Sequence, residues 1–177
     1  MAIEKVVVRS FRKDEWKTYR EIRLSALMDS PDAFGTTYEE SLKLSDAAWR
    51  ARLHNASDQT DYAMAATTGS RVIGLGWVRI ELTDPGTAHL YQMWVAPEAR
   101  RKGAGRKLLE SAISWSTARH CTKLLLDVTC GDRPARRLYD AFGFRPVGDP
   151  LPLREGSELL EQPMALVLPT QEQVEQG

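Results

Sequence analysis

Residues 100–109 have the sequence RRKGAGRKLL and come just after a strand-like segment that ends at MWVAP (93–97). These ten positions contain five cations and two glycines. An apolar stripe of Leu108, Leu109, Ala112 and Ile113 follows and predicts an amphipathic helix over 105–119. The first N–H groups of a helix have no intrahelical partners and carry partial positive charge, and glycines let a ligand approach the backbone closely. The stretch therefore predicts an anion site, with pyrophosphate as its natural guest.

Strand and helix patterns alternate on both sides of this turn. The spacing predicts helices over 14–28 and 45–55, with Ser45 as the N-cap of the second, and a short helix within 132–144 that begins at Asp132 and ends before Gly143. Segment 30–44 is expected to be irregular or a short helix. Apolar and β-branched runs predict strands at the following positions: 5–11, 62–68, 71–82, 88–97, 123–129 and 165–168. The run KLLLDVT (123–129) is typical of a strand covered on both faces.

This order of elements predicts an α/β fold, a single mixed and mostly antiparallel sheet with helices on both faces. One domain is expected over residues 1–170, followed by a short polar tail at 171–177.

Composition excludes several classes of protein. With 42% hydrophobic and 27% charged residues, the chain is not expected to be disordered, collagenous or membrane-embedded. Lys and Arg (24) balance Asp and Glu (24), so neither nucleic acid nor a membrane is an expected partner, and any anion site must be local. The N-terminal valine run is too short for a signal segment, so a cytoplasmic location is expected. Whether the chain forms a homodimer is left open by the sequence.

The cysteine and histidine content predicts no metal site. Cys121 and Cys130 lack metal-ligand spacing and are interpreted as reduced, packed thiols. A nucleophilic role for Cys130 stays open, although no His or Asp spacing supports it. His54 and His120 fall at the ends of predicted helices and are expected at the surface.

The glycine turn matches neither the dinucleotide fingerprint G-x-G-x-x-G nor the P-loop G-x-x-x-x-G-K-[ST], and a merely solvated basic helix start is the alternative interpretation. However, RRKGAG resembles the R/Q-x-x-G-x-G/A signature of the GNAT superfamily of acetyl-CoA-dependent N-acetyltransferases. The segments LYQMWVAPEAR and ARRLYDAFGFRPVG are similar to that family's fourth strand and to its A-x-x-L-Y-x-x-x-G-F segment. The resemblance covers residues 88–148 and implies a GNAT-type fold with acetyl-CoA as cofactor.

The resemblance also implies which residues contact acetyl-CoA. Backbone amides at the turn would hold the pyrophosphate, and the strand at Met93, Trp94 and Val95 would pair with the pantetheine arm across a gap from LLLDVT. The family often has Asn where this chain has Asp132, and an aspartate can cap a helix but cannot donate a hydrogen bond. The remaining cofactor-contacting residues implied in this way are Arg100, Arg101, Lys102, Gly103, Ala104, Gly105, Arg106 and Ala135.

Acetyl transfer to an amine requires a base, an oxyanion donor and an acid. A lysine-like amine has a pKa near 10.4, so a group must take its proton, and the departing thiolate benefits from an acid. The resemblance implies Tyr139 as the acid, with a plain aromatic of the helix face as the alternative. A backbone amide near Met93–Val95 would stabilise the oxyanion. His89 is the first candidate base, because its pKa suits the task, and Glu81 is its rival through a water chain.

The sequence leaves the acceptor open. A small-molecule amine is favoured over a protein N-terminus or lysine, with segments 28–55 and 149–162 as the lips of the acceptor site. Two alternatives belong to other classes of protein. One is an acetyl-CoA-binding sensor with weak or no turnover. The other, nucleic-acid binding by the basic cluster, would require interleaved aromatics and a basic domain, neither of which the sequence contains.

Overall fold

The computed structural model describes residues 5–170. The predicted tail at 171–177 lies outside them. Among the described residues no helix has the length and apolar character needed to cross a membrane. The helices are α1 (Trp16–Asp29), α2 (Tyr38–Leu42), α3 (Asp46–His54), α4 (Ala104–Ala118) and α5 (Arg133–Ala141). The strands are β1 (Val6–Ser10), β2 (Asp61–Thr68), β3 (Arg71–Ile80), β4 (Thr87–Val95), β5 (Lys123–Thr129), β6 (Arg145–Pro146), β7 (Leu151–Pro152) and β8 (Leu160–Val167).

All of these strands belong to one sheet, in the order β1-β2-β3-β4-β5-β8-β6, with β7 also paired to β8. Every neighbouring pair is antiparallel except β4 and β5, which run parallel. The prediction of a mixed, mostly antiparallel sheet is confirmed. The parallel pair requires a crossover connection, and α4 supplies it.

Helices cover both faces of the sheet. Residues 73–78 of β3 are buried without interruption, which is possible only for a strand covered on both sides. On one face, Tyr19 of α1 packs edge-on against Trp77 of β3 and Trp49 of α3, with ring centroids 5.8 and 5.9 Å apart. On the other face, α4 contacts β3 and β4 and buries Leu108 and Leu109 completely.

Local sequence signals predicted most of the helices and strands correctly. The Ser45 hydroxyl accepts from the Ala48 N–H, and the Asp132 carboxylate accepts from the Ala135 N–H at 3.2 Å, as expected of N-caps. The last strand begins at Leu160, five residues before the predicted segment 165–168, because its first half pairs with β5 although its own pattern is not strand-like. The two-residue strands β6 and β7 were not predicted, since such short bridges depend on a neighbouring strand.

The prediction that β5 is covered on both faces was wrong. Leu124, Leu126 and Val128 are buried, whereas Asp127 is exposed and Leu125 is half-buried. One face of β5 therefore opens to a cleft, and the apolar run reflects packing on the opposite face.

Strands β4 and β5 separate soon after they meet. They pair only from Thr87 to His89 and from Lys123 to Leu125, after which β4 stays with β3 and β5 stays with β8. A bulge in β4 lies where the separation begins, because Tyr91 pairs with Trp77 and Trp94 with Leu75, and Gln92 has a φ of +58°. Bulges increase local twist, which turns the end of β4 away from β5. The result is a V-shaped gap in the middle of the sheet.

Candidate active site

A cleft of about 600 Å³ occupies the gap between β4 and β5. The wall from β4 and β5 comprises Leu90–Met93 and Leu126–Thr129, and α5 contributes Asp132, Ala135 and Tyr139. The loop after α1 contributes Ala33–Thr36, and Leu153 and Glu161 close the opposite lip. Both segments expected from the sequence to form the lips, 28–55 and 149–162, thus reach the cleft. Arg154 joins them by donating to the Phe34 carbonyl at 2.8 Å.

The glycine turn leads into α4 with its backbone amides free. Lys107 makes the first helical hydrogen bond, to the Gly103 carbonyl at 3.0 Å. The N–H groups of Ala104, Gly105 and Arg106 have no acceptor in the part of the chain that the structure describes. Gly103 itself adopts a φ of +85°, which side-chain-bearing residues rarely adopt, and no atom lies within 4 Å of where a Cβ would stand. An anion can therefore reach these amides.

The turn lies beside the end of β4 and α5. A Cβ built on Gly105 would lie 3.5 Å from Leu138, 3.8 Å from Met93 and 3.9 Å from Val95. The glycine lets the helix start approach the two elements that line the cleft. The cofactor-contacting residues expected at the turn, on β4 and on α5 are thereby brought together.

The cationic side chains expected at the turn are largely occupied by local partners. Arg100 donates to the Val95 carbonyl at 3.0 Å and pairs with the Asp29 carboxylate, so its charge is already neutralised. Lys102 donates to the Glu98 carbonyl at 2.9 Å, and Arg106 to Glu110 at 3.0 Å. Arg101 is exposed, with no ion pair among residues 5–170. Fewer cationic side chains are therefore available at the turn than the sequence suggested.

Two expected cofactor residues also have local partners. The buried Trp94 indole donates to Asp29 at 2.9 Å, which leaves the backbone of Trp94 as the part that a ligand can use. One carboxylate oxygen of Asp132 accepts a hydrogen bond from the Ala135 N–H at 3.2 Å. Asp132 also lines the cleft.

Tyr139 reaches the cleft from α5 and is only 7% exposed. Its ring packs at a tilt against Phe144, with centroids 5.8 Å apart. Burial, with a smaller contribution from the negative charge of Asp132, raises the pKa of the Tyr139 phenol well above its ordinary value. The hydroxyl therefore keeps its proton at neutral pH and can donate it.

His89 and Glu81 form a pair just outside the cleft. The His89 Nε2 lies 3.5 Å from a Glu81 carboxylate oxygen, and the His89 ring stacks on Tyr91 at a centroid distance of 5.6 Å. Neither His89 nor Glu81 lines the cleft, whereas Tyr91 does. The two candidate bases therefore stand behind the cleft wall.

Sequence reasoning missed two carboxylates that line the cleft, Asp127 and Glu161. They are diagonal neighbours on adjacent strands, because Asp127 pairs with Pro163 and Glu161 with Thr129. Burial raises the pKa of Asp127, and the nearby His89 opposes that shift. Burial and the charge of Asp127 raise the pKa of Glu161. The one available signal was Asp127, an acid that interrupts an apolar strand.

Three arginines that line the cleft were also missed, namely Arg23, Arg52 and Arg79. Arg23 of α1 and Arg52 of α3 both line the cleft, and Arg23 is 4% exposed. Both occupy positions on the apolar stripes that predicted their helices. A charged residue on a buried stripe was the signal that could have identified them.

The thiols, the remaining histidines and possible metal ligands lie apart from this chemistry. Cys121 is buried as expected, but Cys130 is exposed, so the prediction of packing was wrong for it. His54 and His120 are exposed, as expected. Within residues 5–170 no three His, Cys, Asp or Glu side chains are grouped so that they could hold a metal ion.

Comparison with known proteins agrees with this geometry. Residues 10–144 match the sequence family described as the acetyltransferase (GNAT) family. N-alpha-acetyltransferase 40 of Saccharomyces cerevisiae is 40% identical over 72 residues, which are 36% of this chain and 25% of that protein. A mycothiol acetyltransferase of Mycobacterium ulcerans is 32% identical over 81 residues, 42% of this chain and 25% of that protein. The chain thus spans about a quarter of the length of these two relatives.

Solved structures share the fold at low identity. A Salmonella typhimurium protein solved with its cofactor acetyl-CoA superposes with a TM-score of 0.77 at 18% identity, covering 93% of this chain and 95% of that one. At this identity the likeness demonstrates the arrangement of strands and helices.

Proposed function

The chain belongs to the acetyltransferase (GNAT) family, and from that premise we propose that it transfers the acetyl group of acetyl-CoA to a primary amine, by direct attack within a ternary complex. The favoured acceptor is a small molecule. The observation that carries the proposal is the gap between β4 and β5, which has free helix amides at one end and a buried tyrosine on its wall.

The residues present fit acetyl-CoA. Beyond His89, the β4 edge that faces β5 has no pairing partner in the described chain, so its backbone groups can bond an amide-bearing arm inserted into the gap. The amides of Ala104, Gly105 and Arg106, beside the open space at Gly103, suit a pyrophosphate. Acetyl-CoA, when bound, supplies the activated acetyl thioester. The related fold solved with acetyl-CoA supports this assignment.

Tyr139 is assigned as the general acid. Its raised pKa keeps the hydroxyl protonated at neutral pH, and its position on the cleft wall lets it donate to a departing thiolate. The bulge at Gln92 gives the following segment a backbone direction that differs from the regular strand, and the amide near Met93–Val95 is assigned to the developing oxyanion.

Asp127 is the residue placed best to take the proton of the amine. It lines the cleft directly, and partial burial of its carboxyl group raises the pKa, which makes the carboxylate a stronger base than one surrounded by water. His89 and Glu81, 3.5 Å apart and behind the wall, are assigned to carrying the proton onward. Both remain part of the proposal as the second step of a relay that begins at Asp127.

Calorimetric titration and a thiol-release assay test the proposal together. The purified chain is titrated with acetyl-CoA, CoA and NADH, and then mixed with acetyl-CoA and a panel of primary amines that includes amino acids, polyamines and peptides with free N-termini. Binding of acetyl-CoA but not NADH, with release of free thiol that depends on an amine, is expected. Absence of acetyl-CoA binding would overturn the assignment of the turn. Binding without turnover would favour the sensor alternative.

A peptide N-terminus is the second candidate acceptor. The observation that favours it is the similarity to N-alpha-acetyltransferase 40, which reaches 40% identity over 72 residues. Peptides acetylated faster than every small amine in the panel would make this the better description of the chain.

A further inference from the structure

We propose that the acceptor amine itself carries an anionic group, best a carboxylate as in an amino acid, and that Arg23 and Arg52 bind it. This inference rests on the proposed acetyl transfer and names the chemical class of its acceptor. The observation behind it is a buried guanidinium at the cleft that has no counter-ion among residues 5–170.

Arg23 is the buried cation in question. It is 4% exposed, and its Nε and Nη1 atoms are buried with no hydrogen-bond partner in the described part of the chain. Its guanidinium lies over the Phe34 ring, 4.4 Å from the centroid, at the edge of the cleft. Buried charged groups are normally paired, because removing them from water is costly. An anionic ligand in the cleft would supply the missing acceptor.

No carboxylate of residues 5–170 forms an ion pair with Arg23. Burial lowers the pKa of Arg23 to about 10, with Tyr19 opposing that shift and the second cation, Arg52, adding to it. Arg52 also lines the cleft and stacks on Trp49, 4.7 Å from the ring centroid. Two neighbouring cations without an acid between them are typical of a site built for an anion.

Other arginines of this chain, unlike Arg23, are paired with a carboxylate. Arg9 forms two hydrogen bonds to Glu15 at 2.7 and 2.8 Å, and Arg79, which also lines the cleft, bonds to Asp61 at 2.8 Å. Both are more exposed than Arg23, yet each has its carboxylate. Arg23 therefore differs from these arginines, because it is buried without a carboxylate partner among the described residues.

Two acidic residues also line the cleft and suit the amine. Asp127 and Glu161 line the cleft from β5 and β8, whereas Arg23 and Arg52 belong to α1 and α3. A ligand with an ammonium and an anionic group would satisfy both ends, and the planar guanidinium matches a carboxylate best. The volume of about 600 Å³, part of which an inserted cofactor arm would fill, favours a small molecule.

Matched acceptor pairs test this inference. The wild-type chain is assayed with acetyl-CoA and each of leucine, phenylalanine, lysine and serine, against the amine that lacks only the carboxylate: isopentylamine, phenethylamine, cadaverine and ethanolamine. Phosphoethanolamine, compared with serine and ethanolamine, distinguishes phosphate from carboxylate. We expect kcat/KM to be roughly 10- to 100-fold higher with the anion for the preferred side chain, as for a hydrogen bond to a charged group.

Variants assign the preference to the arginines. Arg23→Met and Arg52→Met should reduce the preference several-fold or more, mainly through KM, and Arg23→Lys should retain part of it. Arg50→Met is the matched control, because Arg50 lies on the same helix as Arg52 but is exposed and outside the cleft. Removing an unpaired buried cation should leave the Tm of Arg23→Met equal to or above that of the wild type.

A binding measurement keeps the inference testable without turnover. In the presence of CoA, the preferred amino acid at saturating concentration should raise the Tm of the wild type but not of Arg23→Met. The inference is overturned if no anionic amine raises the Tm, if amines without an anion are used equally well, if only peptides are acetylated, or if Arg23→Met keeps the full preference. Acetyl-CoA binding and amine-dependent thiol release distinguish the two failures. The proposed function fails if cofactor binding is absent or if no amine in the panel is acetylated, whereas this inference fails alone if amines are acetylated without preference for an anionic group.

Discussion

The carboxylate of Asp29, at the end of α1, pairs with the guanidinium of Arg100, at the start of the glycine turn. The same carboxylate accepts a hydrogen bond from the Trp94 indole at 2.9 Å. One acid therefore links the helix that carries Arg23 to the strand and turn that are assigned to the cofactor. The two halves of the proposed ternary site share a structural anchor, although they belong to distant parts of the sequence.

Replacing Asp29 by Ala should lower the free energy of unfolding by about 1–2 kcal/mol, because the buried Trp94 N–H loses its acceptor. The ion pair between Asp29 and Arg100 contributes little to the free energy of unfolding, since Arg100 is well exposed and the pair is screened by solvent. Asp14→Ala, at an exposed helix start, is the control. Denaturant unfolding at neutral pH measures both, and equal stability of the two variants would contradict the anchoring role.

The Asp29 anchor should also weaken in acid. Burial tends to raise the pKa of Asp29, but hydrogen bonds from Ser30, Trp94 and Arg100 outweigh burial and lower the pKa below its ordinary value. Its contribution is therefore complete above the pKa of an unfolded aspartate and is lost as pH falls through the lower, folded value. The stability difference between wild type and Asp29→Asn should accordingly narrow in that acid range. A difference that does not change with pH would exclude this linkage.

Tyr139→Phe should lower kcat by about 100-fold or more, the lower end of the range for general acid catalysis, with little change in acetyl-CoA affinity. Stability should change little, because the hydroxyl has no hydrogen bond among the described side chains and the ring packing on Phe144 is kept. Steady-state kinetics and calorimetry measure the two effects separately. An unchanged kcat would remove Tyr139 from the mechanism.

Gly103→Glu should abolish detectable acetyl-CoA binding, because a carboxylate would stand beside the amides assigned to the pyrophosphate. Gly103→Ala is the matched control: it introduces the same backbone strain, about 1–3 kcal/mol at a φ of +85°, without the charge. No neighbouring atom obstructs either side chain at its Cβ. Calorimetry should find binding retained by the alanine variant, and binding retained by the glutamate variant would overturn the site.

Asp127→Asn should lower kcat/KM and remove the acid limb of its pH profile. Since burial raises the pKa of Asp127, that limb should lie above the ordinary aspartate range in the wild type. His89→Gln removes a charge that opposes the shift and should move the limb to higher pH. The asparagine variant should also be slightly more stable at neutral pH, because a carboxyl with a raised folded pKa destabilises the fold when ionised. An identical pH profile for Asp127→Asn would refute its role as base.

Features formed by residues close together in the sequence were predicted, whereas features formed by residues far apart in the sequence were not. The caps at Ser45 and Asp132 were predicted, as were the strands β2 and β3 and a helix after the glycine turn, which begins at Ala104 rather than at the predicted residue 105. All of these depend on residues close in sequence. Asp127 and Glu161 meet only because β5 and β8 pair, and Glu161 lies in a segment whose own pattern did not indicate a strand. Their juxtaposition could not be read from either segment alone.

The sequence by itself determined the order of the main strands and helices, the position of the glycine turn and the resemblance to a family, because periodicity, capping and glycine conformation act over a few residues. Only the tertiary structure decided which charges are neutralised and which are left available. Arg100, expected to serve a phosphate, is bound by an acid 71 residues away, while Arg23, within the predicted helix 14–28, is a buried cation with no counter-ion in the described part of the chain. Burial and pairing depend on the whole fold, since the free energy of a charge is set by every group that surrounds it.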